Sequence, residues 1–352
     1  MTQENSFIIR PLEPDDRTDY FALLTHPKIV NHLRELPSME MGELDKWMAQ
    51  ESEFLHRLVA EQNGRIIGYA QLTHNHRIRL LHSGVLKLMV HPDYWRLGIG
   101  TALLEAVLNI ADNWLNLTRL QINIFTNNKA GLSIFKKFGF ASEGVRKKVV
   151  FGNGRFQDDH VMVRLRNTFI YDHLRSSPPP PRPTGPRPTG KVIYRFANQE
   201  DGHGMYQLFH FPEVCRTTLQ LPSQELWRSQ QRIKQPMANM VRHVAEVDGT
   251  VVGMANLFQP NEPRLKHSGA LGMMVHPHYW GMGIGTQLMK NLVSSADNWF
   301  NLTRVELEVN TDNPAAVALY HKVGFEIEGT HSYHAYGDGR MADSYFMARI
   351  QE

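Results

Sequence analysis

The 352-residue chain has a single cysteine, Cys215, so it can form neither an intrachain disulfide nor a cysteine-based metal site. Its expected role is that of a small buried apolar residue. No apolar run approaches the roughly 20 residues that a membrane-spanning helix needs. The opening Met-Thr-Gln-Glu-Asn carries Glu4 and no apolar stretch of an export signal, so a cytoplasmic protein with no membrane partner is expected. The 18 histidines include no His-Glu-x-x-His spacing, and no metal is expected. A strong charge of one sign is also lacking. Lys and Arg number 38 against 35 acidic residues, a net charge of +3, which suits an anionic small ligand and makes no case for nucleic acid. With 42% hydrophobic and 21% charged residues, the chain is neither disordered nor fibrous.

Proline, by contrast, is concentrated in one place. Residues 176–191 read SSPPPPRPTGPRPTGK. Successive prolines fix φ and remove amide donors, so this stretch reads as an extended spacer, a simpler account than a docking peptide for a proline-recognising module. The chain is also longer than one ordinary domain of roughly 100–200 residues. The flanking halves are copies: a shift of 185 aligns them without a gap from Arg10/Arg195 to Arg164/Arg349, and 19 of the 31 positions in Met89–Arg119 and Met274–Arg304 are identical. A repeat of this length is a whole domain rather than a solenoid module of about 20–50 residues. The expected organisation is a domain at 1–172, a spacer at 173–190 and a second domain at 191–352.

Within each copy the pattern predicts a short strand (Phe7–Arg10; Val192–Phe196), helical segments and a hairpin (Arg57–Gln62 with Arg65–Leu72; Arg242–Val247 with Thr250–Phe258). The second hairpin turns at Asp248-Gly249. A third strand follows (Gly84–Val90; Gly269–Val275), then a Gly-containing loop. Next comes a helix with Leu103, Leu104, Val107, Leu108, Ala111 and Trp114 at helical spacing, and a further strand (Arg119–Phe125; Arg304–Val309). Mixed elements around one strand–loop–helix unit indicate an α/β (α+β) domain with a mostly antiparallel sheet flanked by helices.

The loop carries the chemistry. It reads Arg96-Leu97-Gly98-Ile99-Gly100-Thr101 in the first copy and Gly281-Met282-Gly283-Ile284-Gly285-Thr286 in the second. Glycines between a strand and a helix let backbone amides turn toward an anion, and the helix N-terminus adds partial positive charge. The loop lacks the Lys-Ser/Thr of a nucleotide P-loop and the third glycine of the dinucleotide fingerprint.

At this loop the chain resembles the GCN5-related N-acetyltransferase (GNAT) family, whose Gln/Arg-x-x-Gly-x-Gly/Ala signature holds the pyrophosphate of acetyl-CoA. The resemblance extends to Glu308-Val-Asn-Thr-Asp-Asn313-Pro-Ala-Ala-Val-Ala-Leu-Tyr320-His-Lys-Val-Gly-Phe325, the family's strand, short helix and tyrosine before Gly-Phe. It implies two copies of the GNAT fold and acetyl-CoA as cofactor. The implied cofactor contacts are Met273, Met274, Val275, Gly281–Thr286 and Asn313, with first-copy counterparts Leu88, Met89, Val90, Arg96–Thr101 and Asn128. It also implies direct transfer of acetyl to an amine.

The resemblance gives Tyr320 the role of acid for the leaving thiolate and Glu308, on one strand side with Glu306, that of base for the amine. The first copy has Phe135, Asn123 and Gln121 at these positions, none of which can transfer a proton in that way. The second domain is therefore expected to be the acetyltransferase and the first a cofactor-binding or architectural partner. Gly281 lacks the arginine of the signature, which is expected to weaken cofactor binding somewhat. Thr217–Pro222 and Glu326–Thr330 resemble the bacterial branch that acetylates small amino acids. The acceptor is expected to be a small amino acid or small amine, with a protein or ribosomal-protein N-terminus or a polyamine as alternative acceptors and a non-catalytic acetyl-CoA-binding sensor or scaffold as the alternative to an enzyme. The chain is expected to work as a monomeric pseudo-dimer or a homodimer.

Other recurring residues are given structural roles: His82/His267 and His91/His276 in the fold (with relay of the amine proton by His267 as the alternative), Asp112-Asn113-Trp114 and its copy in packing and capping. Arg155/Arg340 and Asp158/Asp343 are read as surface ion pairs near the acceptor mouth.

Overall fold

The computed structural model describes residues 6–50, 52–171, 189–234 and 239–351. It divides into two compact units, Met1–Ile170 and Tyr171–Glu352. The spacer expected over 173–190 lies, apart from residues 189 and 190, outside the described residues.

The first unit runs β1 (Ile8–Pro11), α1 (Arg17–Thr25), α2 (Pro27–Val30), α3 (Met41–Met48), β2 (Leu55–Gln62), β3 (Arg65–His74), β4 (Ser83–Val90), α4 (Ile99–Asn109), β5 (Arg119–Phe125), α5 (Lys129–Lys137), β6 (Ala141–Gly152) and β7 (Arg155–Leu165). Its strands lie in the order β1-β2-β3-β4-β5-β7-β6. The second unit repeats this plan with β8 (Val192–Phe196), α6 (Gly202–Leu208), α7 (Pro212–Arg216), α8 (Leu226–Lys234), β9 (Met240–Val247), β10 (Thr250–Phe258), β11 (Ser268–Val275), α9 (Ile284–Asn298), β12 (Arg304–Asn310), α10 (Pro314–Lys322), β13 (Glu326–Gly337) and β14 (Arg340–Ile350). Its strand order is β8-β9-β10-β11-β12-β14-β13.

Each sheet is antiparallel except at its centre, where β4 meets β5 and β11 meets β12 in parallel. A parallel pair needs a crossover, and α4 or α9 supplies it. The central strand β10 is buried on both faces from Val251 to Ala255, as a strand covered by helices on both sides must be. Beneath α9, Gly253 lets the helix sit close: a Cβ there would stand 3.0 Å from Leu288 and 3.2 Å from Ile284, tighter than ordinary contact.

Alternate residues of β11 serve two cores. Leu271, Met273 and Val275 pack with the α9 and α10 side, while Met274 joins Met205, Leu208 and Val214 on the other face. The first unit is built the same way, with Leu86 in the α4–α5 core and Met89 beside Tyr20 and Leu44.

The central helix is helical at the expected positions, and Leu103, Leu104, Val107, Leu108 and Ala111 are buried. Trp114 does not continue that stripe: it is 79% exposed, and Trp299 82%. In the first unit the helix ends in a wider π turn at Ile110–Trp114, and in the second α9 ends at Asn298 with Trp299 as its C-cap, so both tryptophans stand at the helix's end, past the packed stripe. Its neighbours Asp112 and Asp297 do not cap the helix either. They form two-pronged ion pairs with Arg164 (2.9 and 2.8 Å) and Arg349 (2.7 and 2.9 Å) on the last strand of each unit. Cys215 is buried, and its thiol donates to the Phe209 carbonyl at 3.0 Å.

Candidate functional site

The loop before α9 is shaped by left-handed backbone. Gly281 (φ 78°) and Gly283 (φ 83°) both adopt it, and Gly283 is the N-cap of the helix. A Cβ on Gly283 would meet nothing within 4 Å, so the loop's concave side is open where a bound anion would lie. The first-turn amides have no intrahelical acceptor, and no acidic residue stands in that turn. Gly285 answers a different need: a Cβ there would stand 3.0 Å from Leu319 and 3.3 Å from Met273, so its absence lets α9 start against α10 and β11. Ile284 buries its side chain in the core and anchors the loop. The loop is also tied at its base, where the Trp280 indole donates to the Val275 carbonyl (2.8 Å).

The first-unit loop has the same form, with Gly98 at φ 85° and the Trp95 indole on Val90 (2.7 Å). Arg96 occupies the left-handed position that Gly281 fills in the second unit, at φ 65°. The glycine at 281 thus removes an arginine and relieves backbone strain at once.

Beside the loop the sheet opens. The β11–β12 ladder holds only Ser268/Arg304, Gly269/Val305 and Ala270/Glu306, while β11 runs on to Val275 and β12 to Asn310. Past Ala270 the two strands part. Because β11 bonds β10 through alternate residues, the other main-chain groups of Leu271–Val275 face the split. These half-buried main-chain groups are available to a ligand bearing amides. Asn313 opens α10 at the end of the split, and its Oδ1 accepts from the Ala316 amide (3.2 Å), leaving Nδ2 as a donor. Asn128 does the same for α5 through the Gly131 amide (2.9 Å).

Tyr320 and Glu308 come from opposite faces of this split. Tyr320 lies in the α9–α10 core with Leu307, Val309 and Phe325, and burial pushes its phenol up to about 12. Phe135 holds the corresponding core position in the first unit, 5.1 Å from Phe140. Glu308 alternates with Leu307 and Val309 and so lies on the other face, where its carboxylate is half exposed. Glu306 shares that side but is held by the buried Arg304 (3.0 Å), which also grips Glu328 at 2.6 Å.

Two residues that the strand pattern gives no reason to select stand beside Glu308. His331 Nε2 lies 3.7 Å from one carboxylate oxygen and His334 Nε2 3.5 Å from the other. Residues three apart on a flat strand point to opposite faces. Here β13 bulges between His331 and Ala335, Tyr333 takes φ 51°, and the two imidazole rings come within 5.3 Å of each other. Asp343 holds the bulge by accepting from the Tyr333 amide (2.8 Å), as Asp158 does from Lys148 in the first unit (2.8 Å). Each of these aspartates thus ties down the bulge of its unit. Arg340 is buried and pairs with Asp312 at 3.0 Å, whereas Arg155 is exposed.

In the first unit the same face is filled differently. Lys87, at the position of the exposed Gly272, is ion-paired with Glu35. Burial alone would push the Glu35 carboxyl up, but Lys87 holds it below the usual carboxylate range. Arg146, at the position of His331, grips the buried Asp159 through two hydrogen bonds (2.9 and 2.6 Å), with Arg34 at 3.7 Å. In the second unit these positions carry Gly272, Gln220, His331, Ser344 and Leu219.

The remaining candidates lie away from the split. The His267 main-chain carbonyl accepts from Thr303 (2.9 Å) and Arg304 (3.2 Å) at the far end of β11. His276 Nδ1 accepts from the His278 amide (3.2 Å), and burial lowers its imidazole from the ordinary range. Among the described residues no group of three or more His, Cys, Asp or Glu is arranged to hold a metal ion, and no helix is long and apolar enough to cross a membrane.

Comparison with known proteins adds an independent line. The profile of the acetyltransferase (GNAT) family matches residues 19–140 and again 170–325. An L-amino acid N-acetyltransferase, AaaT, of Escherichia coli K12 is 33% identical over 163 residues, which is 46% of this chain and 99% of that protein. A spermidine N(1)-acetyltransferase of the same organism is 25% identical over 180 residues, covering 49% of this chain and 93% of its own length. Among solved structures, a spermidine N-acetyltransferase of Vibrio cholerae in complex with CoA and spermine superposes with a TM-score of 0.43 at 23% identity, covering 47% of this chain and 98% of that one.

Proposed function

Because this chain belongs to the acetyltransferase (GNAT) family, whose acetyl donor is acetyl-CoA, we propose that its second unit transfers acetyl to the primary amine of a small amino acid or similar small amine. The observation that carries this reading is the acceptor face. In the second unit a half-exposed Glu308 stands between two imidazoles, with the exposed Gly272 on the same face of the sheet. In the first unit two ion pairs take up the corresponding positions. The AaaT relative, matched over 99% of its length, supports an amino-acid acceptor.

The residues present fit acetyl-CoA. The open side of Gly283 and the first-turn amides of α9 would hold the pyrophosphate, and the main chain of Met273–Val275 along the split, with Asn313, would hold the amide-bearing arm. When bound, acetyl-CoA supplies a thioester carbonyl activated toward an amine. Glu308 takes part in removing the ammonium proton, without which the amine has no lone pair to offer. Tyr320 keeps a proton available for the leaving sulfur, since burial keeps the phenol protonated well past neutral pH. The sheet split holds both groups on rigid elements, which is the larger part of what such a site provides. The first unit keeps the loop and the split but has Phe135 and Asn123 in place of the proton-transfer groups, which supports a cofactor-binding or architectural role.

Thiol release from acetyl-CoA by the full chain, with a panel of L-amino acids, spermidine and a peptide with a free N-terminus, tests this. Release with amino acids is expected. Release with the polyamine or peptide alone would move the acceptor class, and binding without release under every amine would make the chain a sensor.

A further inference from the structure

The direction of one hydrogen-bond chain sets the protonation of His334. Its fixed end is the main-chain carbonyl of Arg216, which can only accept, and Asn310 Nδ2 donates to it at 3.1 Å. The same amide's Oδ1 is then the acceptor for the Ser344 hydroxyl (3.2 Å), which uses the one hydroxyl proton. Ser344 Oγ therefore accepts from His334 Nδ1 at 2.9 Å. A neutral His334 is held as the Nδ1–H tautomer, with the Nε2 lone pair turned toward Glu308 at 3.5 Å. A lone pair and a carboxylate oxygen facing each other repel unless a proton lies between them.

We infer that Glu308 and His334 form a shared proton site that receives the proton of the incoming ammonium, with His334 as the residue that retains it. This rests on the reading that the second unit is the transferase. In the step, an N–H bond of the ammonium breaks and its electrons remain as the amine lone pair. The proton passes by way of the Glu308 carboxylate to Nε2, where an N–H bond forms. The resulting imidazolium is balanced by the Glu308 carboxylate and gives its proton to water between turnovers. The second amine proton is lost after attack and accounts for the hydrogen of the released thiol.

Groups facing His334 include Glu308 from β12, His331 from its own strand and Ser344 from β14, with Asn310 linking Ser344 to the main chain of Arg216 at the end of α7, and Asp343 holds the adjoining Tyr333 amide. His331, at 3.7 Å from the other Glu308 oxygen, packs its ring against Phe346 with centroids 4.6 Å apart. The first unit carries Asn123, Val149, Asp159 and Phe125 at the positions of Glu308, His334, Ser344 and Asn310, so the whole chain of groups is peculiar to the second.

The test is thiol release by the full chain carrying His334→Asn, compared with wild type and Glu308→Gln between pH 6 and 9. Asparagine can keep the donor toward Ser344 while deleting Nε2, so a purely structural role would survive. A general base is worth about 10²–10⁴ in rate, and His334→Asn is expected to be at least about tenfold slower near neutral pH. Its deficit is expected to shrink as pH rises and the free amine becomes abundant. A His334→Asn rate equal to wild type, or a deficit unchanged across pH, with Glu308→Gln impaired, overturns this inference alone. Wild-type rates in both variants overturn the assignment of the second unit, and this inference with it.

Discussion

The Lys87 ammonium rests on the Glu35 carboxylate across one face of the first unit's sheet, on the strand where the second unit has Gly272. A single pair of this kind contributes modestly to stability, but in a cleft it takes the space that an acceptor amine would need. Installing it in the second unit, by Gly272→Lys with Gln220→Glu, is expected to lower amine-dependent thiol release at least about a hundredfold, the scale of removing one proton-transfer group. CoA affinity, measured by calorimetry, is expected to persist, because no Cβ at 272 meets anything within 4 Å.

The same pair gives the first unit an acid sensitivity. Its folded carboxyl lies below the ordinary value, so the stability it contributes is present above the ordinary carboxylate range and lost as pH falls through the depressed one. Thermal unfolding from pH 7 to pH 3 checks this: Lys87→Ala is expected to be less stable at neutral pH and to converge with wild type in acid.

Tyr320 gives the second unit the opposite dependence. A phenol pushed up to about 12 stabilises the fold below its ordinary value near 10, and that stability is lost as pH rises from there toward 12. Tyr320→Phe is expected to remove the alkaline loss while lowering turnover at neutral pH by about 10²-fold or more. Phe135→Tyr is expected to leave turnover unchanged.

At the loop, Arg96→Gly relieves a left-handed conformation that costs a non-glycine residue about 1 kcal/mol or more, and is expected to raise the first unit's melting temperature. Gly283→Ala imposes that cost at φ 83° and places a methyl group on the open side of the loop, so weaker CoA binding is expected in titration calorimetry.

Much of this was legible in the chain because the repeat states it twice. The 185-residue shift, the loop glycines and the contrast of Tyr320 with Phe135 are properties of residue type at fixed spacing. Trp114 read as part of a helical stripe because periodicity does not show where the packed part of a helix stops, and both Trp114 and its copy Trp299 stand exposed at the helix's end. His331 and His334 escaped because a period of two sends them to opposite faces, and only the bulge at Tyr333 reunites them. A signal was nevertheless present: Arg146 becomes His331, Val149 becomes His334 and Asp159 becomes Ser344 between otherwise similar copies. Comparing the halves position by position, rather than against a strand period, would have found all three. Lys87 and Glu35 are 52 residues apart, and only folding brings them together.

The most direct measurement is thiol release by the full chain carrying Glu308→Gln and Tyr320→Phe together, with the best amine of the panel and CoA affinity determined alongside. Loss of nearly all turnover with CoA binding kept is the expected result. Turnover near the wild-type level would place the chemistry outside the Glu308–Tyr320 site and contradict the inequality of the two units.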